Sequence, residues 1–429
     1  MYYFIGIKGT GMSALAVILK QLGNSVSGSD VDKHFFTESE LIKNNIPFYV
    51  YDADNIKDGV TVIKGASIKD DNVELVRARE LELKILEYNE MVGLLTEDFK
   101  TICVAGCHGK TTTTNMLALA LRNVGVNYLI GDGTGSAFSD NPYFALEACE
   151  YKRHFLVYHP YYAIITNIDL DHVDYFKDIN DVIDAYTSYA NNASRMVIAC
   201  GDDPYTRKMK VKKDIVYYGI GEDNDIRATD IVYKDTGISF NVNGYGYFDL
   251  PLYGEHQLLD ALAVITLCYL ECIDYKEVYN NLKEFKGAKR RFSEIKVANN
   301  IIIDDYAHHP NEVKATINAI KQKYPDKKIV AIFQPHTYTR TREFANDLIE
   351  IFKEIDASYV LDIHPAREKQ EDYPEVTSYI IISKLDNCYH INIEEADKLK
   401  DYDNTVFAFM SPNDISKLES DLRKLLENK

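Results

Sequence analysis

Residues 104–117 read VAGCHGKTTTTNML, and the fold class turns on this stretch. An apolar run ends at Gly106, a turn closes on Gly109-Lys110-Thr111, and threonines open a helical pattern. Strand, glycine turn and helix form the context that a phosphate loop requires. Backbone N–H groups at a helix start offer partial positive charge to an anion without needing side chains. Gly109 lets the backbone come close, Lys110 can pair with β- and γ-phosphate oxygens, and the Thr111 hydroxyl can hold Mg²⁺. The candidate nucleotide-binding residues are therefore Gly106, Cys107, His108, Gly109, Lys110, Thr111 and Thr112. A plain strand-to-helix turn with a chance lysine is the alternative. Val104 stands where generic ATPases and GTPases keep the first glycine of this loop.

Outward from the loop, short β-rich runs alternate with amphipathic helices, which predicts parallel α/β sheets. The alternation restarts three times: at YYFIGI (2–7), KTICVAG (100–106) and NIIIDDY (300–306). Helices are expected from about Ser13 to Leu22, over 112–122, over 178–193, and after Pro310 with Val313, Ile317 and Ile320 on one face. The expected architecture has a Rossmann-like N-terminal domain (1–96), a central ATP domain on a mostly parallel sheet (97–286) and a Rossmann-like C-terminal domain (287–429). A chain of 429 residues is long enough for two or three cores.

Composition narrows the partners. The formal net charge of −18 repels a phosphate backbone, so nucleic-acid binding is disfavoured and phosphate chemistry belongs in local positive pockets. Seven scattered cysteines without CxxC spacing fit reduced thiols in a cytoplasm. No run approaches the ~18 apolar residues of a membrane span, and MYYFIGIKGTGM lacks the features of a signal peptide. Monomer and homodimer are both compatible with these numbers.

Gly6, Gly9 and Gly11 form G-x-x-G-x-G, with Thr10, Met12 and Ser13 opening the next helix and Asp30 ending the following apolar run. The dinucleotide fingerprint is G-x-G-x-x-G with an acid at about the position of Asp30, so an NAD-binding oxidoreductase is one alternative. The altered spacing and the separate loop at 106–111 argue instead for another nucleotide.

Downstream, AIITNIDLDHVDYF places Asn167, Asp169, Asp171, His172 and Asp174 after an apolar strand, where open α/β sheets bind ligands. The cluster could equally cap the helix that follows. Glu150 in EACEYKRHF is similarly ambiguous. Hard cations take oxygen or imidazole ligands, so these residues together suit the metal that accompanies ATP. In the last third, Tyr306, His308 and His309 follow one strand and His336, Tyr338 and Arg340 another. Arg340 can bind a carboxylate bidentately. Arg290 and Arg291 in AKRRF either help hold the nucleotide or form a solvated basic patch.

GIKGTGMS (6–13), GSD (28–30), GCHGKTTTT (106–114), EACEYKRHF (147–155), TNIDLDHVDYF (166–176), KRRF (289–292), DDYAHHPNE (304–312) and FQPHTYTRT (333–341) jointly resemble the Mur ligase family, in its alanine-adding branch. The resemblance spans essentially the whole chain. It implies ATP- and Mg²⁺-dependent ligation of L-alanine to UDP-N-acetylmuramate through an acyl phosphate, in cytoplasmic peptidoglycan precursor synthesis. It assigns the first glycine turn and Asp30 to the sugar nucleotide and Glu150, His172 and Thr111 to metal. Tyr306, His308, His336 and Arg340 fall to substrate, with His308 assisting amine deprotonation. Arg290, Arg291 and Asp305 fall to the nucleotide, and Lys110, His172, His308 and Arg340 form the catalytic set. A branch attaching a whole tripeptide shares most motifs, and a Mur-like protein with impaired catalysis is a further alternative. Many Mur ligases carry a carbamylated lysine where this chain has Thr187. The usual G-x-H-N-x-x-N reads Gly254-Glu-His256-Gln257-Leu-Leu-Asp260, and a glycine-rich MGAGDI turn is replaced by MSPNDI (410–415).

Overall fold

A computed structural model describes residues 1–428. Contacts divide the chain into two compact units that do not follow chain order: 1–169, 179–227 and 260–282 in the first, and 170–178, 228–259 and 283–429 in the second.

The first unit holds two sheets. Strands Phe48–Val50, Val26–Asp30, Tyr2–Ile5, Thr61–Lys64 and Ile85–Glu87 lie side by side in that order, all parallel. Their crossovers cover the sheet, and Tyr3, Ile5, Val62, Leu75 and Ala78 fill one core. Parallel strands buried on both faces read as near-continuous apolar runs. The second sheet obeys the same rule: Lys100–Ala105 is buried from its second residue on and lies between Tyr162–Ile165 and Tyr143–Glu147. Met196–Cys200 and Ile215–Gly219 extend it on one side and Val126–Leu129 on the other, all parallel. A two-residue antiparallel strand, Gly135–Ser136, ends that edge.

The second unit carries a six-stranded sheet in the order Ser293–Val297, Asn300–Asp305, Thr405–Met410, Lys328–Phe333, Ala357–Val360, Cys388–His390. All its pairs are parallel except the first. Helix Pro310–Lys323 buries Val313, Ile317 and Ile320 against this sheet, as their spacing predicts. Strands Gly237–Val242 and Gly246–Leu250 form an antiparallel hairpin beside the end of Ile226–Lys234.

All three strand-to-helix restarts exist, with helices Thr10–Gln21, Lys110–Ala120 and Pro310–Lys323, and these together with Ile179–Ala190 start within three residues of expectation. The first begins earlier than the apolar pattern because Thr10 and Gly11 form its first turn behind an N-cap at Gly9. No helix among the described residues is long and apolar enough to cross a membrane.

Candidate active site

The phosphate loop is shaped by two glycines that cannot be replaced without distortion. Gly106 has φ +148°, and a Cβ there would sit 1.9 Å from Thr166 Oγ1; Gly109 has φ +81°, and its Cβ would meet Asp260 Oδ1 at 2.3 Å. Only glycine adopts such backbone routinely. The tip between them is stapled to the end of the neighbouring strand. His108 N–H donates to Asn167 Oδ1 (2.9 Å), while the His108 carbonyl accepts from Thr166 Oγ1 (2.6 Å) and Asn167 Nδ2 (2.9 Å). Cys107 Sγ accepts from Asp169 N–H at 3.1 Å, and His108 Nε2 lies 3.2 Å from Asp169 Oδ2. Asn167 and Asp169, read from sequence as members of a polar cluster after a strand, therefore hold the loop in shape.

Lys110 follows as the first residue of helix Lys110–Ala120. Its ammonium donates to the carbonyls of Gly106 (2.5 Å) and Cys107 (3.3 Å) and pairs with Glu150 at 2.9 Å. Burial alone would lower its pKa, but Glu150 and Glu147 outweigh that and push it above the ordinary lysine value. The Thr111 hydroxyl donates to Glu147 Oε2 at 2.9 Å. Two carboxylates, a hydroxyl and one ammonium leave the pocket short of positive charge for a triphosphate. That oxygen-rich set fits a hard divalent cation. The bare turn of Gly106–Gly109 at a helix start fits a phosphate. Thr112 is buried in the same turn. Glu147 closes a strand and opens the EACEYKRHF block, yet sequence reasoning singled out only Glu150 of the two acids there.

In the N-terminal sheet, Gly6 turns the chain at φ +88° and a Cβ on Gly11 would lie 2.8 Å from the Tyr88 hydroxyl. Met12 and Ser13 are buried, and Ser13 Oγ donates to the Thr10 carbonyl (3.0 Å). Asp30 accepts from the N–H groups of Lys8 (2.7 Å) and Val31 (2.8 Å), so its carboxylate clamps the turn itself.

The second unit gathers another cluster. Arg340, in the first turn of helix Tyr338–Phe352, is buried and forms an ion pair with the buried Asp171. Its Nη1 donates to His336 Nδ1 at 3.0 Å. Burial, then His308, Arg340 and His364, lower His336 to about 3, so its ring is neutral and Nδ1 is the acceptor. Asp171 lies well below the usual carboxylate range: burial opposes this, but Arg340 outweighs it. His172, at φ +51°, follows in chain and donates its N–H to Asp171 Oδ1 (2.6 Å). His308 stands 5.8 Å from His336 between ring centroids, with Nδ1 3.0 Å from the Tyr306 carbonyl. Burial, then Arg340, lower its pKa against the opposing pull of Glu312. His309 points elsewhere and caps helix Pro310–Lys323 in a box with Glu312. Thr337, the N-cap before Arg340, has φ 65° and ψ 147°, a conformation rare for a β-branched residue. It is locked by its N–H to His364 O (2.8 Å) and by its carbonyl, which accepts from Thr341 Oγ1 (2.6 Å).

Arg290 and Arg291 both lie over the Tyr306 ring, 5.5 and 5.0 Å from its centroid. Arg290 also donates to the carbonyls of Ser411 (2.8 Å) and Asn413 (3.0 Å), anchoring the turn that replaces the glycine-rich one. Asp305 is buried, which raises it to about 6, and accepts from the N–H groups of Phe292 and Ala307, both at 2.8 Å. Asp260 does not aim at the loop's outer face. It sits behind Gly109 and accepts from the Thr113 hydroxyl at 3.1 Å. Gln257 accepts from Tyr253 N–H (3.0 Å). Thr187 donates its hydroxyl to Ile183 O (2.7 Å) inside its own helix.

Family models cover the chain in three consecutive blocks: the Mur ligase family catalytic domain over 1–100, the Mur ligase middle domain over 104–268, and the Mur ligase glutamate ligase domain over 290–403. The chain belongs to the Mur ligase family. Among curated Mur ligases it is 45% identical over 431 residues to the UDP-N-acetylmuramate–L-alanine ligase of Lacticaseibacillus casei, covering 99% of this chain and 98% of the relative. The solved UDP-N-acetylmuramate–alanine ligase of Thermotoga maritima superposes with a TM-score of 0.81 at 28% identity, covering 100% of this chain and 99% of that one. A murein peptide ligase from Psychrobacter arcticus shares the fold, with a TM-score of 0.71 at 22% identity over 100% and 99% of the two chains. The three-domain α/β architecture of Mur ligases matches the three sheets described above.

Proposed function

We propose that this Mur ligase joins L-alanine to the lactyl carboxylate of UDP-N-acetylmuramate, with ATP and Mg²⁺, in cytoplasmic peptidoglycan precursor synthesis. The observation that carries the reading is the 45% identity, sustained over 99% of the chain, to an L-alanine ligase. The tripeptide-adding alternative shares most of the motifs, but the likeness to a murein peptide ligase is at 22% identity, which speaks to fold alone. In this reading residues 1–96 hold the sugar nucleotide, 97–286 the ATP and 287–429 the amino acid.

ATP supplies the phosphoryl group that turns a carboxylate oxygen into a leaving group, and Mg²⁺ supplies positive charge among the phosphate oxygens. The chain's own residues do the rest. The amides of Gly106–Thr111 and the ammonium of Lys110 bind phosphate, and that ammonium stays protonated because Glu147 and Glu150 raise its pKa. Thr111 and Glu150 offer oxygen to the cation. His172 as a further ligand, and Arg290, Arg291 and Asp305 near the nucleotide, belong to the same proposal. Gly6, Gly9 and Gly11 with Thr10, Met12, Ser13 and Asp30 shape the sugar-nucleotide turn. Arg340 receives the alanine carboxylate, with Tyr306 and His336 beside it. His308 is held neutral, and when Nδ1–H donates to Tyr306 O its Nε2 is the acceptor for a proton from the alanine ammonium.

The test is phosphate release by purified protein with ATP, Mg²⁺, UDP-N-acetylmuramate and L-alanine, omitting each in turn and replacing alanine by the tripeptide. Release that requires all four and prefers alanine is expected, and Lys110→Ala abolishes it in a folded protein. Release independent of either acceptor substrate, or full activity in Lys110→Ala, refutes the reading.

A further inference from the structure

Glu74 has no part in the scheme above, yet it is an acid with no exposed surface. Among the described residues the partners of its carboxylate are hydrogen-bond donors, and none is a cation. Oε1 accepts from the Tyr3 hydroxyl (2.9 Å), Asn55 Nδ2 (2.9 Å) and Asp52 N–H (3.2 Å), and Oε2 accepts from the Ser29 hydroxyl. Tyr3 and Ser29 lie on adjacent parallel strands, while Asp52 and Asn55 frame the turn beyond the edge strand Phe48–Val50. Glu74 itself stands in the first turn of helix Val73–Glu80, where a negative charge is favoured. A buried carboxylate costs stability unless its lone pairs are matched. Matched from several elements, it fixes how those elements sit against one another.

Ser29 is where this network meets the first glycine turn. It is buried too, and its carbonyl accepts from Gly6 N–H (2.9 Å) and Ile7 N–H (3.0 Å) while its hydroxyl is committed to Glu74. The next residue, Asp30, holds Lys8 N–H at 2.7 Å. The turn that leads to Thr10, Gly11 and Met12 therefore hangs on Ser29 and Asp30, and Ser29 hangs on Glu74. The first N–H groups of helix Thr10–Gln21 have no partner within the helix and are the groups a diphosphate meets. A shift of the Ser29 carbonyl would misaim those amides without touching the ligand.

We infer that Glu74 is a positioning residue for the sugar nucleotide: through the Ser29 hydroxyl it sets the Gly6–Lys8 turn so that the amides behind it face the diphosphate. This rests on the sugar-nucleotide reading of that turn. The test is calorimetric titration of UDP into the full-length protein, with ADP and Mg²⁺ as the reference ligand for the separate loop at 106–111. Glu74→Ala is expected to weaken UDP binding by about tenfold and to leave ADP binding unchanged. In Glu74→Gln the amide oxygen still accepts and the NH₂ group can donate to the Ser29 oxygen, so most of the UDP affinity returns. Ser29→Ala should weaken UDP to the same extent, and adding Glu74→Ala to it changes UDP binding no further. Ser29→Ala removes a single hydroxyl, so it decides the matter should Glu74→Ala not fold. Wild-type UDP affinity in Ser29→Ala or in folded Glu74→Ala, an equal loss for UDP and ADP, no recovery in Glu74→Gln, or a further loss in the double variant each overturns the inference. Wild-type protein that binds ADP but not UDP overturns the sugar-nucleotide reading itself, and this inference with it.

Discussion

Gly109→Ala probes the most constrained point of the phosphate loop. At φ +81° an alanine costs about 1–2 kcal/mol relative to glycine. Its Cβ would also lie 2.3 Å from Asp260 Oδ1, so the carboxylate must swing away and release the Thr113 hydroxyl it holds at 3.1 Å. A hydrogen bond to a charged group contributes about 1.5–3 kcal/mol. The single substitution should therefore destabilise by about 3–4 kcal/mol. Asp260→Ala loses the same hydrogen bond and should cost about 2 kcal/mol. The double variant loses that bond only once, so it should also fall near 3–4 kcal/mol, about 2 short of the sum of the singles. Urea unfolding followed by far-UV circular dichroism measures all four proteins; the chain has 32 tyrosines and no tryptophan, so tyrosine emission is the second probe. Additivity within about 0.5 kcal/mol would show that Asp260 is not what the new methyl meets, and would refute the argument.

Arg340→Lys keeps the charge facing Asp171 but loses the planar fork, so KM for L-alanine should rise by roughly 10–100-fold, with KM for ATP unchanged; an unchanged alanine KM removes Arg340 from the amino-acid site. His256 is lowered to about 4, by burial and then by Arg291, so it is neutral in the fold and charged in the unfolded chain between about pH 6.5 and 4. Its contribution is complete above pH 6.5 and is lost as pH falls through that window. With the ring not fully shut off from solvent, this contribution is about 2 kcal/mol. His256→Gln should flatten this part of the stability–pH curve, and an unaltered slope would contradict the assignment. Glu271 accepts from the hydroxyls of Tyr143 (2.5 Å) and Tyr162 (2.6 Å). Glu271→Ala should cost about 2–4 kcal/mol of stability while leaving every KM in place, and a KM effect would reveal a functional role.

Much of this was legible in the chain because it is local. Strand, glycine and helix recur with their own periodicities at residues 2, 100 and 300, and Lys110, Glu150 and Arg340 carry residue types whose chemistry is narrow. What stayed hidden depends on approach between distant positions. Glu147 reads as the last residue of a strand until Thr111 and Gly131 are seen to share its oxygen. Asp260 reads as a charge misplaced beside a nucleotide, yet 151 residues of separation bring it behind Gly109. Side-chain direction is the other gap. His308 and His309 are neighbours in sequence, but only the first faces the Arg340 cluster while the second closes a helix. Arg290 could be foreseen as basic and not as the clasp of the 411–413 carbonyls.

The backbone of Thr337 has a consequence for anyone seeking a hardier form of this ligase. Glycine is the residue at ease with φ 65° and ψ 147°, and a threonine held there stores on the order of 1–3 kcal/mol. Selection for heat resistance alone would be drawn to Thr337→Gly. The same change deletes the hydroxyl that accepts from Arg340 N–H at 3.4 Å and loosens the turn that presents the guanidinium. Directed evolution at this position should therefore trade longevity against throughput, with the tension of one peptide unit as the exchange rate.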